Sequence, residues 1–222
     1  MSFRATDIVY TLRQNKKLVI IFFAVFYAVG FFGTVIPFTH IFFGKLFPLA
    51  LLLSFSAVLL FHENRFDQNT ILVIVITAIS GFFIEVAGVK THTIFGSYSY
   101  GDALGIKILE TPLMIGINWA MLVFATGSAV EELNISPTLK IVSASAIMVL
   151  YDLVMESVAP VLGMWTWSEG IIPVKNFIAW FSIALLLHTL FRIFKVKPAS
   201  SIGLPILYCQ SAFFILLIFF YK

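Results

Sequence analysis

The chain has 222 residues, is 60% hydrophobic and only 11% charged, and carries a net charge of +3. Its mean hydropathy of +1.03 is more than a water-soluble domain of this length can hide, which excludes a soluble enzyme. No basic run interleaved with aromatics offers a nucleic-acid surface, and a single cysteine, Cys209, excludes an intrachain disulfide.

Apolar stretches of about 20 residues, long enough to cross a bilayer, recur along the chain. They predict an all-α, polytopic membrane helical bundle forming a single transmembrane domain, with about seven spans at residues 18–38, 44–61, 70–88, 112–130, 139–160, 176–194 and 203–221. The first is longer than a signal-peptide core and lacks a small-residue cleavage pattern, so it reads as a mature helix. The second is short, and Gly44 and Pro48 leave its start open. Cys209 fits the last span as a small apolar residue.

Orientation follows from the basic residues. With the N-terminus inside, Arg4, Arg13, Lys16, Lys17, Arg65, Lys140, Arg192, Lys195 and Lys197 are inner, and Lys45, Lys90, Lys107, Lys175 and Lys222 are outer. Nine against five favours N-in and C-out. Spans three and five then run outward and end near Glu85 and near Asp152 and Glu156. The two longest outer connections follow those helices directly, so the unusual polar residues gather at one mouth.

The connections share a pattern. Each follows a glutamate, Glu85 or Glu156, and contains Gly-x-aromatic-x-aromatic: Gly96, Tyr98 and Tyr100, then Gly163, Trp165 and Trp167. Each then places a proline seven residues before a tryptophan: Pro112 before Trp119, and Pro173 before Trp180. Spans three to four and five to six read as a weak parallel internal repeat, related by an axis near the membrane normal, with the aromatic connections facing each other.

Intramembrane carboxylates cost about 2.5–3.5 kcal/mol on insertion scales and mark function when they are deep. Asp152 and Glu156 stand at i and i+4, about 6 Å apart along one helix face. Repulsion there favours keeping one proton, which leaves one acid beside one base. Glu85 adds to that field from the neighbouring repeat. The plainer alternative is that these acids lie at headgroup level and pair with Lys90 or Lys175. Asp102, among loop glycines, suits a turn as well as chemistry. Tyr98, Tyr100, Trp165 and Trp167 suit either an interfacial belt or a π-lined pocket that stabilises a cation. Asn118, Trp119, Asn176 and Trp180 open spans four and six, and Asn176 could equally cap its helix.

The histidines are His40, His62, His92 and His188, with no H-x₂₋₄-H pair. That spacing argues against a di-iron oxygenase and leaves only a mononuclear metal at His92 with the acids conceivable; the expectation is no metal and no cofactor. His188 reads as an interhelical hydrogen-bond partner. The last span contains no lysine, so a retinal pigment is excluded.

The segments FIEVAGVKTHTIFGSYSYGDALGIKILETPLMIGINW and YDLVMESVAPVLGMWTWSEGIIPVKNFIAWF resemble the membrane-integral carotenoid biosynthesis family that contains the carotenoid 1,2-hydratases. Those include the γ-carotene 1′-hydratases of bacteria and the bisanhydrobacterioruberin hydratases of haloarchaea. The resemblance covers residues 84–181. It rests on Glu85, Lys90 before Thr91, Phe95-Gly96-x-Tyr98-x-Tyr100, Pro112, Trp119, Asp152, Glu156, Trp165-x-Trp167, Asn176 and Trp180. It implies a hydratase, a hydro-lyase in isoprenoid metabolism located in the cell membrane. Water would add across the terminal C1–C2 double bond of an acyclic (ψ) end group, with no redox cofactor. The carotenoid substrate would come from the lipid phase, and the enzyme could associate with other carotenoid enzymes.

The chemistry of the residues agrees. Hydrating such an alkene needs a proton donor, a pocket tolerant of a tertiary cation, and a base for water. Asp152 or Glu156 is the expected acid, the other its base or electrostatic partner, with Glu85 opposite. Tyr98, Tyr100, Trp119, Trp165, Trp167, Trp180, Asn118, Asn176, Lys90, His92 and Asp102 are the expected substrate-binding set. The nearest rival is a small membrane-integral carotenoid (lycopene) end-group cyclase. Those carry a P-x-E-E-type acid pair, where this chain has Pro173-Val-Lys175-Asn176 and Pro112-Leu-Met-Ile. A small transporter is the rival from another class, but the acids cluster at one mouth instead of lining a path.

Overall fold

The computed structural model describes residues 5–222. In chain order these form α1 (Ala5–Gln14), α2 (Lys16–Val35), α3 (His40–Gly44), α4 (Phe47–Leu60), α5 (Gln68–Thr91), β1 (Tyr98–Tyr100), β2 (Lys107–Ile108), β3 (Thr111–Pro112), α6 (Leu113–Glu131), α7 (Pro137–Glu156), β4 (Trp165–Trp167), α8 (Val174–Ile193) and α9 (Gly203–Tyr221). Six of the helices, α2 and α5 to α9, are long and apolar enough to cross a membrane. The polytopic helical bundle expected from hydropathy is what forms.

The second expected span, 44–61, needs correction. Its place is taken by the short α3 and the 14-residue α4, with a proline in the first turn of α4. The break is tied to the end of α2, where Thr39 Oγ1 donates to Gly33 O at 2.8 Å and His40 Nδ1 lies 2.7 Å from Thr34 O. Before α2, Arg13 donates from Nε to Leu60 O at 2.8 Å and from Nη2 to His62 O at 2.9 Å. The end of α4 therefore returns to the level at which α2 begins, and α3 with α4 makes the return crossing in two pieces. The fifth expected span, 139–160, is also shorter. Its helix stops at Glu156, four residues before Pro160, whose ring cannot continue a helix.

Each boundary has a local cause. Ile36, before Pro37, is extended and ends α2. Asp67 caps α5 by accepting from Thr70 N at 2.9 Å, and Ser136 caps α7 by accepting from Leu139 N at 3.2 Å. α6 is the central helix, packed against α4, α5, α7, α8 and α9. It is the most buried of the spans and is correspondingly apolar all round.

At the end holding Arg13, the Glu131 carboxylate is met by Arg192 at 2.5 and 3.2 Å and by the Lys140 ammonium at 3.7 Å. This cluster clamps α6, α7 and α8 together. Glu63 N donates to Ala199 O at 2.7 Å, so the approach to α9 lies at that end too. Arg4, counted with the inner residues, lies outside the described residues. Replacing Glu131 by Gln leaves two half-buried cations without their counter-charge and is expected to cost about 1–2 kcal/mol. A lower melting temperature in detergent would report it.

The opposite end carries the strands, which an all-helical reading does not contain. β1 and β4 pair antiparallel, with Tyr98 opposite Trp167, Ser99 opposite Thr166 and Tyr100 opposite Trp165. This register has two-fold symmetry. Exchanging repeat equivalents, Tyr98 for Trp165 and Tyr100 for Trp167, turns one flanking pair into the other. The hydrogen bonds beyond the ribbon obey the same exchange: Gly101 N donates to Met164 O at 2.9 Å, and Ser168 N to Ser97 O at 3.0 Å. The backbone of Gly101 lies so close that a Cβ there would fall 2.2 Å from Gly163 O. After each strand a proline in near-identical conformation begins the next helix: Pro112 at φ −64°, ψ 135°, and Pro173 at φ −69°, ψ 139°. The facing aromatic connections of the repeat are thus one shared ribbon. β2 and β3 form a second, smaller hairpin between β1 and α6.

Candidate active site

Beneath the ribbon lie the three acids. Glu85 is 3% exposed, Asp152 0% and Glu156 4%. None pairs with the lysines that a headgroup position would offer. Lys90 binds Glu110 at 3.0 Å, and Lys175 donates to His92 O at 3.1 Å.

Each repeat closes its strand over its own glutamate. Glu85 Oε2 accepts from the hydroxyls of Tyr98 at 2.6 Å and Tyr100 at 2.8 Å, and its Oε1 accepts from Trp119 Nε1 at 3.0 Å. Glu156 Oε2 accepts from the indoles of Trp165 at 2.9 Å and Trp167 at 2.8 Å, and its Oε1 accepts from Asn176 Nδ2 at 3.3 Å. Burial, then the neighbouring Glu85, pushes the Tyr98 and Tyr100 phenols well above their ordinary value. They therefore remain O–H donors at any working pH. The alternation along each strand sends both aromatics of a triplet to the carboxylate side and the central residue away.

Asp152 differs from both glutamates. Its Oδ2 accepts from Asn176 Nδ2 at 3.2 Å, while its Oδ1 is buried without a hydrogen-bond partner among the described residues. In the first repeat the position one turn before the glutamate is Gly81. A Cβ there would fall 2.5 Å from Trp119 Cβ, so glycine lets Trp119 reach Glu85. The repeat thus places a tryptophan against α5 where the second half keeps an acid on α7. Trp119 also stacks on Trp180, with centroids 4.2 Å apart and planes 24° from parallel. Gly81→Ala should overpack this point by about 1–3 kcal/mol. Lower thermal stability and altered tryptophan fluorescence would register the displaced ring.

All three acids line one hollow of about 20 Å³, together with Tyr98, Tyr100, Asn118, Trp165, Trp167, Asn176 and Trp180. That is room for about one water molecule. Next to it is an apolar cavity of about 340 Å³ between α2, the α3–α4 segment, α6, α7 and α9. Ile115, Asn118, Met155 and Trp165 line both spaces, so the cavity abuts the acids directly. Val29 is on the cavity wall yet 53% exposed at the bundle surface, which marks a side facing lipid.

Three members of the expected set lie elsewhere. Asp102 is exposed and binds Lys107 at 2.7 Å, which holds its carboxyl below the usual range, and its carbonyl accepts from Gly105 N in a turn. Lys90 is on the surface with Glu110. His92 ends α5 in the left-handed conformation, at φ 56°. Outside the site, His188 Nε2 lies 3.3 Å from Thr126 Oγ1, an interhelical contact as its isolation in an apolar span suggests.

Sequence reasoning missed a second polar group. In the wall of the apolar cavity, Tyr27, Tyr151 and Gln210 form a hydrogen-bonded chain that continues to Ser54. Gln210 is the only amide in the last span, and that isolation was the available signal.

Comparisons with curated proteins and with solved structures returned no match. A family model described as carotenoid biosynthesis protein matches residues 46–221, more than three quarters of the chain and well beyond the 84–181 segment that carried the resemblance. The match begins just before α4 and takes in the ribbon, the three acids and the small hollow they line, while the α2 side of the larger cavity lies before it. The chain belongs to the carotenoid biosynthesis protein family.

Proposed function

We propose that the protein is a carotenoid hydratase, adding water across the terminal C1–C2 double bond of an acyclic carotenoid end group. The observation that carries this reading is the unequal satisfaction of three carboxyls around one hollow. Three donors meet Glu85 and three meet Glu156, which favours the carboxylate form of each over that of Asp152. Asp152 has one donor on one oxygen and a bare second oxygen. It is the group that carries the proton.

The polyene end enters the apolar cavity while the rest of the chain stays in lipid. Asp152 gives its proton to C2, and the electron pair of the double bond leaves a tertiary cation at C1. The charges of Glu85 and Glu156 and the nearby indole faces stabilise that cation. A water molecule in the hollow supplies an oxygen lone pair to C1. Its released proton returns to the Asp152 carboxylate, which restores the acid. One water is gained and nothing is oxidised or reduced, so no redox cofactor enters the balance.

On this reading the enzyme works in the cell membrane, with the Arg13 end of the bundle in the cytoplasm. The test is expression in cells that accumulate lycopene or γ-carotene, followed by mass analysis of the pigments. A product heavier by one water is expected. A product of unchanged mass and shifted spectrum would replace hydration with ring closure, and unchanged pigments would remove the end-group chemistry altogether.

A further inference from the structure

The hydrogen-bonded chain in the wall of the apolar cavity has a fixed direction. Ser54 Oγ donates to Ala50 O at 2.8 Å, and a backbone carbonyl can only accept. Its hydrogen is therefore spent, so Tyr27, 2.7 Å away, must donate to Ser54. The Tyr27 oxygen is left to accept, and Gln210 Nε2 donates to it at 2.8 Å. The other hydrogen of that amide points to Met121 Sδ at 3.8 Å. The Gln210 carbonyl oxygen then faces Tyr151, whose hydroxyl donates to it at 3.2 Å. Every hydrogen in the chain is used, and what remains toward the cavity is lone pairs on Tyr151 and Gln210.

Tyr27, Tyr151 and Gln210 all line the 340 Å³ cavity, whose other walls are overwhelmingly apolar. Tyr151 and Gln210 are 6% and 4% exposed. A pure hydrocarbon brings no hydrogen to these acceptors and desolvates them without return. A chain that bears a hydroxyl group satisfies one of them.

We propose that this cavity is a binding site for a hydroxyl-bearing isoprenoid chain, with Tyr151 and Gln210 accepting the hydroxyl hydrogen. The proposal rests on the hydratase reading in that the alcohol is the class of molecule that reaction makes. Retention of the alcohol would then give the enzyme product inhibition.

The test is direct binding to the purified full-length protein in lipid nanodiscs, without turnover. Two probes are compared by calorimetry: geranylgeraniol and its methyl ether, which differ in the donor hydrogen. The alcohol should bind about fivefold to tenfold more tightly, the worth of one net hydrogen bond. The Tyr151→Phe/Gln210→Leu double variant should bind both probes within about twofold of each other. Removing both is necessary, because Tyr151→Phe alone bares the Gln210 oxygen. Equal binding of the two probes by the unaltered protein overturns the proposal, whether or not the double variant folds. So does a preference that persists in a folded double variant. Pigment hydration in cells is scored separately, so loss of that activity reading leaves this binding result standing, and the reverse.

Discussion

Replacing Asp152 by asparagine is expected to lower hydration about 10²–10⁴-fold, the usual worth of a positioned general acid. The fold should be indifferent to the change. The asparagine carbonyl can take the place of Oδ2 and accept from Asn176 Nδ2. Its amide then occupies the position of Oδ1, which has no partner among the described residues to lose. Shape and burial are conserved, and only the transferable proton disappears. The measurement is product yield by mass in lycopene-accumulating cells, beside the melting temperature of the purified variant. Full activity in Asp152→Asn would remove this residue as the acid and return the role to Glu156.

The features that made this site legible in the sequence were those that repeat. Glu85 and Glu156, the two aromatic triplets and the two proline-led helices announced one another by spacing, and the structure pairs them about a two-fold relation. Membrane burial made the acids conspicuous, because a carboxylate in an apolar span needs a reason. The pairing of Tyr98–Tyr100 with Trp165–Trp167 as strands was not legible. It is a contact between segments 67 residues apart in the chain, formed over three residues, and no local propensity signals so short a strand. The β2–β3 hairpin was hidden for another reason. Its turn residues, Leu109 and Glu110, both have positive φ. That conformation normally selects Asn-Gly or Asp-Gly, so Leu-Glu gave no turn signal. The broken α3–α4 crossing was hinted at by Gly44 and Pro48, but hydropathy alone cannot distinguish a short crossing in two pieces from one helix.

Spacing also grouped residues that the structure sets apart. Asp102, Lys90 and His92 lie between the glutamate and the second helix of their repeat, and sequence proximity placed them with the acids. Lys107, Glu110 and the end of α5 hold them at the rim instead. The equivalence of Gly81 with Asp152 carried the opposite lesson. A missing side chain in one half marks where the repeat diverges, and the structure fills that space with Trp119. Two glutamates accept hydrogen bonds from their own strands in the two halves, while one half alone carries a third carboxyl one turn earlier.

Glu156 separates support from chemistry through two variants. In Glu156→Leu the indoles of Trp165 and Trp167 lose their acceptor in a buried place, and the amide of Asn176 keeps only Asp152. An indole N–H can only donate, so it cannot adapt by turning. At about 1–3 kcal/mol for each stranded donor, partly relieved by relaxation, the loss should reach about 3–6 kcal/mol. That is a large share of a typical folding free energy, and the β1–β4 ribbon should come loose from the bundle. In Glu156→Gln the amide oxygen can still accept from both indoles, and Asn176 can turn to present its own oxygen to the new NH₂, with protonated Asp152 then donating to that oxygen where it had accepted from Nδ2. The ribbon should then stay in place while the negative charge is gone. Melting in detergent, hydrogen exchange at residues 165–167 and pigment yield together read the difference. Glu156→Leu should lose stability and product together, and Glu156→Gln should lose product at nearly unchanged stability. If Glu156→Gln were as active as the parent, the carboxylate would be a structural acceptor only, and the cation would have to be stabilised by Glu85 and the aromatic faces alone.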